Sequence, residues 1–196
     1  MAFSKVDKLI ETENAFLGVC SLENMELLEK CVDEVSGKLV KNPQIMIFGK
    51  EAFQRRSIGF FSNESEGYRY SGQMAESQLL TPNLSELLKY INEIFNANFN
   101  GILVNRYENG ENYIGAHSDD EKYLDPVGVV CVSWGESRKF RIRDKVTRKI
   151  VLDIPVESGK ILIMAGDFQK LFLHEIPVEK KKKDPRISFT FRKHTK

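Results

Sequence analysis

Three histidines and three cysteines are all that this 196-residue chain offers of the side chains that most often ligate transition metals. Cys20, Cys31 and Cys131 are odd in number, far apart and free of any C-x-x-C pairing, so they form neither a zinc signature nor a disulfide framework, and they favour a reducing compartment. Excess charge is also missing. With a formal net charge of +1, nucleic-acid binding cannot be argued from overall charge and has to rest on local patches. No uninterrupted apolar run approaches the roughly 20 residues that span a bilayer, and the N-terminus has no apolar h-region, so a soluble intracellular protein with no membrane partner is expected. Repeats and low-complexity tracts are absent. A hydrophobic content of 41% is enough for a sizeable core, and residues 1–196 read most simply as one domain.

What is present falls into two halves. Ser21 can cap a helix whose Leu22, Met25, Leu28, Val32 and Val35 recur at three- and four-residue steps, with Gly37 as its stop. Thr81 followed by Pro82 is a cap-then-first-turn pair, and Leu84, Leu87, Leu88, Ile91 and Phe95 mark the buried face of a second helix ending near Asn98. After Asn98 the pattern changes to short runs rich in Val, Ile and aromatics, beginning at Gly101, Val127, Lys139, Lys149, Lys160, Leu171 and Arg186. Helices first and strands afterwards predict an α+β protein, a double-sheet or barrel core supported on one side by the helices.

His117 and Asp119 form an H-x-D pair. On an extended strand residues i and i+2 share a side, so an imidazole nitrogen and a carboxylate oxygen can meet at one ion. A second imidazole would complete the two-histidine, one-carboxylate set of non-heme Fe(II) oxygenases. His174 lies in the apolar run Leu171 to Ile176, whereas His194 sits in a polar tail and reads as solvated. Taken alone, His174 reads first as a core histidine bonded to a carbonyl, because lone histidines in strands are seldom ligands. Downstream, Arg186-Ile187-Ser188-Phe189-Thr190-Phe191-Arg192 alternates without a break, which puts two guanidiniums and two hydroxyls on one face of a strand. That face is either in water or buried against an anion, and guanidinium groups match carboxylates bidentately.

The ordered set Asn105-x-Tyr107, His117-x-Asp119, His174 and Arg186 to Arg192 resembles the AlkB family of Fe(II)- and 2-oxoglutarate-dependent nucleic-acid dealkylases. It is most similar to the nuclear homologues that repair duplex DNA, which share the order of Tyr-x-Tyr-Ser-Gly at 68 to 72, Asn-Arg-Tyr at 105 to 107, His-Ser-Asp-Asp-Glu at 117 to 121 and Ser-Phe-Thr-Phe-Arg-Lys at 188 to 193. The resemblance runs from about Phe48 to the C-terminus. It implies a double-stranded β-helix (jelly-roll) core at 99–196 and a nucleotide-recognition lid at 44–80, while residues 1–43, outside the resemblance, are expected to give N-terminal helical support. It also implies that His117, Asp119 and His174 hold Fe(II). Asn105 and Tyr107 match positions that hydrogen-bond 2-oxoglutarate, Arg186 the arginine that pairs with its distal carboxylate, and Arg192 the one near its chelating end; Ser188 and Thr190 share that face. The implied reaction joins O2-driven decarboxylation of 2-oxoglutarate to succinate and CO2 with hydroxylation of an N-methyl group that is then shed as formaldehyde.

A base inside a duplex cannot reach a buried iron and has to be flipped out. By the same resemblance Tyr70 stacks the base, Tyr68 shares its strand face, and Asp120 and Glu121 flank the metal where a cationic methylated base would sit. Phe48-Gly49-Lys50 is similar to a finger that wedges an aromatic ring into the vacated stack, although Ile45 to Phe48 also reads as a core strand. Arg55 and Arg56, and the run Lys180 to Lys183, offer phosphate contacts, and the lysines read either as a nuclear-entry signal or as solvated surface. The chain departs from the pattern at Arg55-Arg56, Phe61-Ser62-Asn63 and Ser118, where those homologues have Pro-Arg, Tyr-Gly-Asp and an arginine. The expectation is a monomeric enzyme that demethylates 1-methyladenine- or 3-methylcytosine-type bases in DNA and works where the genome is. An RNA demethylase, a non-catalytic nucleic-acid-binding β-domain and a protein or small-molecule hydroxylase are the alternatives.

Overall fold

The period-two runs after Asn98 form strands that alternate between two facing sheets, and the helices cover the outer side of one of them. The computed structural model describes residues 6–47, 49–65, 67–70, 73–119 and 128–194. Strands β1 (Asp7–Glu11) and β2 (Ala15–Ser21) come first, then helix α1 (Met25–Val35), strands β3 (Gln44–Ile47), β4 (Lys50–Phe53), β5 (Ser57–Phe61), β6 (Gly67–Tyr70) and β7 (Gln73–Gln78), and helix α2 (Pro82–Phe95). The second half holds β8 (Gly101–Tyr107), β9 (Ile114–His117), β10 (Val129–Gly135), β11 (Arg138–Asp144), β12 (Ile150–Val156), β13 (Lys160–Gly166), the single turn α3 (Phe168–Leu171), β14 (Phe172–Ile176) and β15 (Arg186–Arg192).

The larger sheet has the order β1-β2-β13-β10-β15-β8-β5-β7-β6, and the smaller β12-β11-β14-β9, with β3 and β4 pairing as a separate ribbon. Strands β8, β10, β13 and β15 lie in the large sheet, and β9, β11, β12 and β14 in the small one. That distribution is a jelly roll, as the alternating strand pattern implies. Strands β8, β10 and β13 of the large sheet send alternate residues to two different cores. Ile102, Val104, Val130, Val132, Ile161, Ile163, Ile187, Phe189 and Phe191 pack with Leu27, Leu28, Cys31, Val32 and Val35 of α1 and Leu84, Leu87, Leu88 and Ile91 of α2. The other face sends Tyr107, Val129, Cys131, Leu162 and Met164 to meet Phe140, Ile142, Ile154, Val156 and Ile176 of the small sheet. Each fully buried aliphatic or phenyl group contributes about 1.5–3 kcal/mol to this sandwich.

The helix ends show the local chemistry. At α2, Thr81 accepts the Leu84 amide at 3.3 Å, as the sequence predicts, and Asn96 closes the helix in a left-handed conformation two residues before the expected end at Asn98. At α1 the cap is Asn24, whose Oδ1 accepts the Leu27 amide at 3.0 Å, and not Ser21, which ends β2. Glu34 of α1 accepts bonds from the Thr81 hydroxyl and from the Asn83 amide and side chain, fastening the two helices at their polar rim. Gly135 turns the chain from β10 to β11 at φ +89°, where a Cβ would stand 2.3 Å from the Pro185 carbonyl oxygen, so only glycine fits.

The structure corrects two regional expectations. Residues 1–43 hold more than helical support, because β2 pairs with β13 from Ala15↔Gly166 to Ser21↔Lys160 and extends the large sheet. Within 44–80, β5 is an interior strand with every residue buried between β8 and β7. Phe48, between β3 and β4 in sequence, lies outside the described residues. No described helix is long and apolar enough to cross a membrane.

Candidate active site

Pairing of β9 with β14 sets His117 directly opposite His174, with ring centroids 4.3 Å apart. Asp119 lies two residues beyond the end of β9, so the pair does not share one strand as the H-x-D spacing predicts. Its carboxylate nevertheless reaches both rings: Oδ1 is 3.8 Å from His117 Nε2, and Oδ2 is 3.4 Å from His174 Nε2. Ligating atoms of all three residues lie within 4.8 Å of one another. Gly115 O sits 2.8 Å from His117 Nδ1, which places the proton there and leaves Nε2 bare. His174 stacks on Phe140 at 5.2 Å with 13° between the planes, so its ring is held by packing.

The electrostatics hold this cluster in its ligating form. Burial, followed by the neighbouring His174, pushes the His117 pKa down to about 3, so the imidazole is neutral at physiological pH. Burial alone would raise the Asp119 pKa. The Arg192 guanidinium, 3.1 Å from Oδ1, and the two imidazoles overcome that and hold the carboxyl well below its usual range.

Strand β15 supplies the rest of the cleft. All seven of its residues are buried, and Arg186 and Arg192 are each 1% exposed, which excludes a polar face in water. Arg186, Ser188, Thr190 and Arg192 line the same cleft as His117, Asp119 and His174, together with Asn105 and Tyr107 from the neighbouring β8. The register pairs Tyr107 with Arg186 and Asn105 with Ser188. Arg186 donates from Nη2 to Ser133 Oγ at 2.9 Å, lies 5.4 Å from the centre of the Tyr107 ring, and leaves its Nε without a partner among the described residues. Burial raises the Tyr107 pKa, so its hydroxyl keeps its proton and can donate.

Arg56 corrects an expectation. Instead of standing at the surface as a phosphate contact, it is 4% exposed inside this cleft and donates from Nε to Asn105 Oδ1 at 2.7 Å. His194 is likewise not solvated: its ring meets Phe60 edge-on at 4.7 Å, and burial lowers its pKa to about 4. Tyr68 and Tyr70 fall on β6, at one end of the large sheet, but their side chains lie outside the described residues, as do Asp120 and Glu121. Two residues went unforeseen. Buried Arg138 donates to the carbonyls of Asn109, Asn112 and Pro177 and pairs with Glu179, stapling two loops beside Tyr107. Gln169 of α3 accepts the Asp119 backbone amide at 2.9 Å. Neither lies in a motif, and only long-range contact reveals them.

The donors fit an iron ion and an acidic cosubstrate. Two imidazoles and one carboxylate with no thiolate among them suit non-heme Fe(II), and the one cysteine in the cleft, Cys131, has its pKa raised by burial. A buried guanidinium with an unpartnered N–H and no paired carboxylate among the described residues calls for an anion. The family model for the 2OG-Fe(II) oxygenase superfamily matches residues 21–192. The chain belongs to that superfamily. Within this superfamily it sits in the AlkB family, since it is 31% identical over 179 residues to the human DNA oxidative demethylase ALKBH2, covering 87% of this chain and 67% of that protein. The Arabidopsis thaliana ALKBH2 is 27% identical over 76% of this chain and 56% of its own length, and human alkB homolog 3, an alpha-ketoglutarate-dependent dioxygenase, is 33% identical over 57% of this chain and 42% of its own length. The solved structure of OsALKBH1 shares the fold, with a TM-score of 0.57 at 14% identity, covering 96% of this chain and all of that one. This oxygenase is therefore a dioxygenase that uses Fe(II), 2-oxoglutarate and O2, and His117, Asp119 and His174 are the residues suited to hold the metal.

Proposed function

We propose that this dioxygenase removes N-linked methyl groups from 1-methyladenine- and 3-methylcytosine-type bases in DNA, repairing them by direct reversal. The observation that carries the reading is that the His-Asp-His cluster and a fully buried arginine row open into one cleft. Its nucleic-acid side is supported by the relatives that carry the name DNA oxidative demethylase.

In this reading His117 Nε2, His174 Nε2 and the Asp119 carboxylate would hold Fe(II). Arg186 takes the distal carboxylate of 2-oxoglutarate, helped by the Tyr107 hydroxyl, with Asn105, Ser188 and Thr190 lining the path. Arg56 claims the Asn105 amide oxygen, which would leave the NH2 group as the end able to donate to the cosubstrate. Arg192 keeps Asp119 ionised and stands at the chelating end. Once loaded, the centre supplies O2-driven hydroxylation coupled to release of succinate and CO2. The hydroxylated methyl then leaves as formaldehyde. The protein's own task is to fix these donors in advance and to exclude water from them.

The substrate base would arrive from the side of β6, with Tyr68 and Tyr70 as its stacking surface, Phe48 as the wedge, and Asp120 and Glu121 beside the methylated ring. The enzyme acts as a monomer where the genome is. The lysine run is a structured turn, in which Lys182 pairs with Glu136 at 3.1 Å while Lys180, Lys181 and Lys183 remain exposed. Formaldehyde release, measured with iron, 2-oxoglutarate and 1-methyladenine placed in single-stranded DNA, duplex DNA and RNA, tests the proposal. Product from DNA is expected. Product from RNA alone would move the substrate to RNA, and none from any polymer would reject a nucleobase substrate.

A further inference from the structure

The three metal-site residues are not held alike. His117 and His174 sit opposite each other on paired strands, so the sheet ladder sets their backbones. Asp119 lies past the end of β9, where no ladder bond from the described residues reaches it. Its amide N–H is instead taken by the side chain of Gln169, at 2.9 Å and buried. Gln169 is 3% exposed. Its amide nitrogen contacts Met164 Sδ at 3.6 Å, and this fixes which end of the amide faces Asp119, since the flipped amide would set NH2 against N–H. The backbone of Gln169 is anchored in turn, because Lys145 Nζ donates to its carbonyl at 3.0 Å. Asp119 is thus gripped at two points: Arg192 holds its carboxylate and Gln169 its backbone.

We propose that Gln169 is a positioning residue for the metal centre, setting the backbone of the carboxylate ligand that the sheet leaves unsupported. It touches neither metal nor substrate and acts through Asp119. The inference rests on the reading of His117, Asp119 and His174 as the metal ligands. Outer partners of this kind typically account for about 10- to 100-fold in metal affinity. A buried glutamine serving only as core filler would have no such effect.

The test titrates Co(II), as a visible-absorbing stand-in for Fe(II), into metal-free full-length protein, and reads affinity by chelator competition and ligand geometry by the d–d spectrum. Gln169→Leu, which removes the acceptor, is expected to bind Co(II) about 10- to 100-fold more weakly, with an altered spectrum, while the thermal midpoint of the metal-free protein stays close to wild type. Gln169→Glu retains the acceptor oxygen and should bind at least as tightly as wild type. If Gln169→Leu fails to fold, Gln169→Asn, which withdraws the amide by one methylene, is read in its place with the same expected weakening. His117→Ala is the separate check on the ligand set and should lose the site. Wild-type Co(II) affinity and spectrum in Gln169→Leu, or in Gln169→Asn where that variant is read, would overturn the positioning role if His117→Ala has lost binding. Retention of binding in His117→Ala would instead overturn the ligand set. Equal weakening in Gln169→Glu and Gln169→Leu would also overturn the role, because then the acceptor is not what matters.

Discussion

Strand β15 is buried on both sides, yet its two faces do opposite things. Toward the helices it presents Ile187, Phe189 and Phe191, each at 0% exposure, in a core that excludes water and gains stability from doing so. Toward the small sheet it presents Arg186, Ser188, Thr190 and Arg192, just as inaccessible but costly to desolvate. The comparison teaches that burial alone does not identify a core. On one face it contributes free energy to folding, and on the other it is tolerated for the sake of a ligand, as the unpartnered Nε of Arg186 indicates.

Substitutions on the two faces should therefore separate stability from turnover. The largest expected effect on activity comes at the metal cluster: His174→Ala should abolish succinate formation while the protein still unfolds in one cooperative transition, and normal turnover would reject the triad. Phe189→Ala, on the helix face, should cost about 3–5 kcal/mol in urea denaturation. In the protein that remains folded it should leave the half-saturating 2-oxoglutarate concentration unchanged. Arg186→Met reverses that pattern. It should raise half-saturation for 2-oxoglutarate by about 30-fold or more, equivalent to about 2 kcal/mol. The metal-free protein should keep or gain stability, since a long apolar side chain replaces an incompletely paired buried charge; a matching loss of stability would erase the distinction between the faces.

The smallest effect concerns acid. His194 has its pKa lowered to about 4 by burial, against an ordinary value near 6.5. Between those values the unfolded chain binds more protons than the folded one, so stability should rise with pH through this window and fall as pH drops from about 6.5 towards 4. His194→Gln should flatten that part of the stability–pH curve, which denaturation at a series of pH values would show; an unchanged slope would assign the acid sensitivity to other groups.

How much of this was legible before folding depends on the range of the signal. Thr81-Pro82 set the start of α2 because a cap is a contact three residues long. The same logic failed at Ser21, which met the composition rule for a cap but was drawn into β2 by its pairing with Lys160 of β13. Strands β1 and β2 escaped notice for a similar reason: Ala15 to Ser21 has no clean alternation, and it is a strand because β13 offers it an edge. His194 read as a tail residue by its polar neighbours, yet Phe60 and Asn100, far away in sequence, cover it. Arg56 read as a surface cation and proved to line the same cleft as His117, Asp119 and His174, since nothing local announces a partner such as Asn105.

The ordered spacing of His117, Asp119 and His174, and the unbroken alternation from Arg186 to Arg192, were determined by the sequence itself, because period-two patterning sets which side chains share a face. Which of those faces is enclosed was a tertiary decision. Only the pairing of β9 with β14 brings His174 across from His117, and only the apposition of the two sheets turns a polar strand face into a cleft with Arg186 and Arg192 in it, while α3 sets Gln169 against the Asp119 backbone. Such contacts join residues distant along the chain, so their geometry follows from packing and has no local signature.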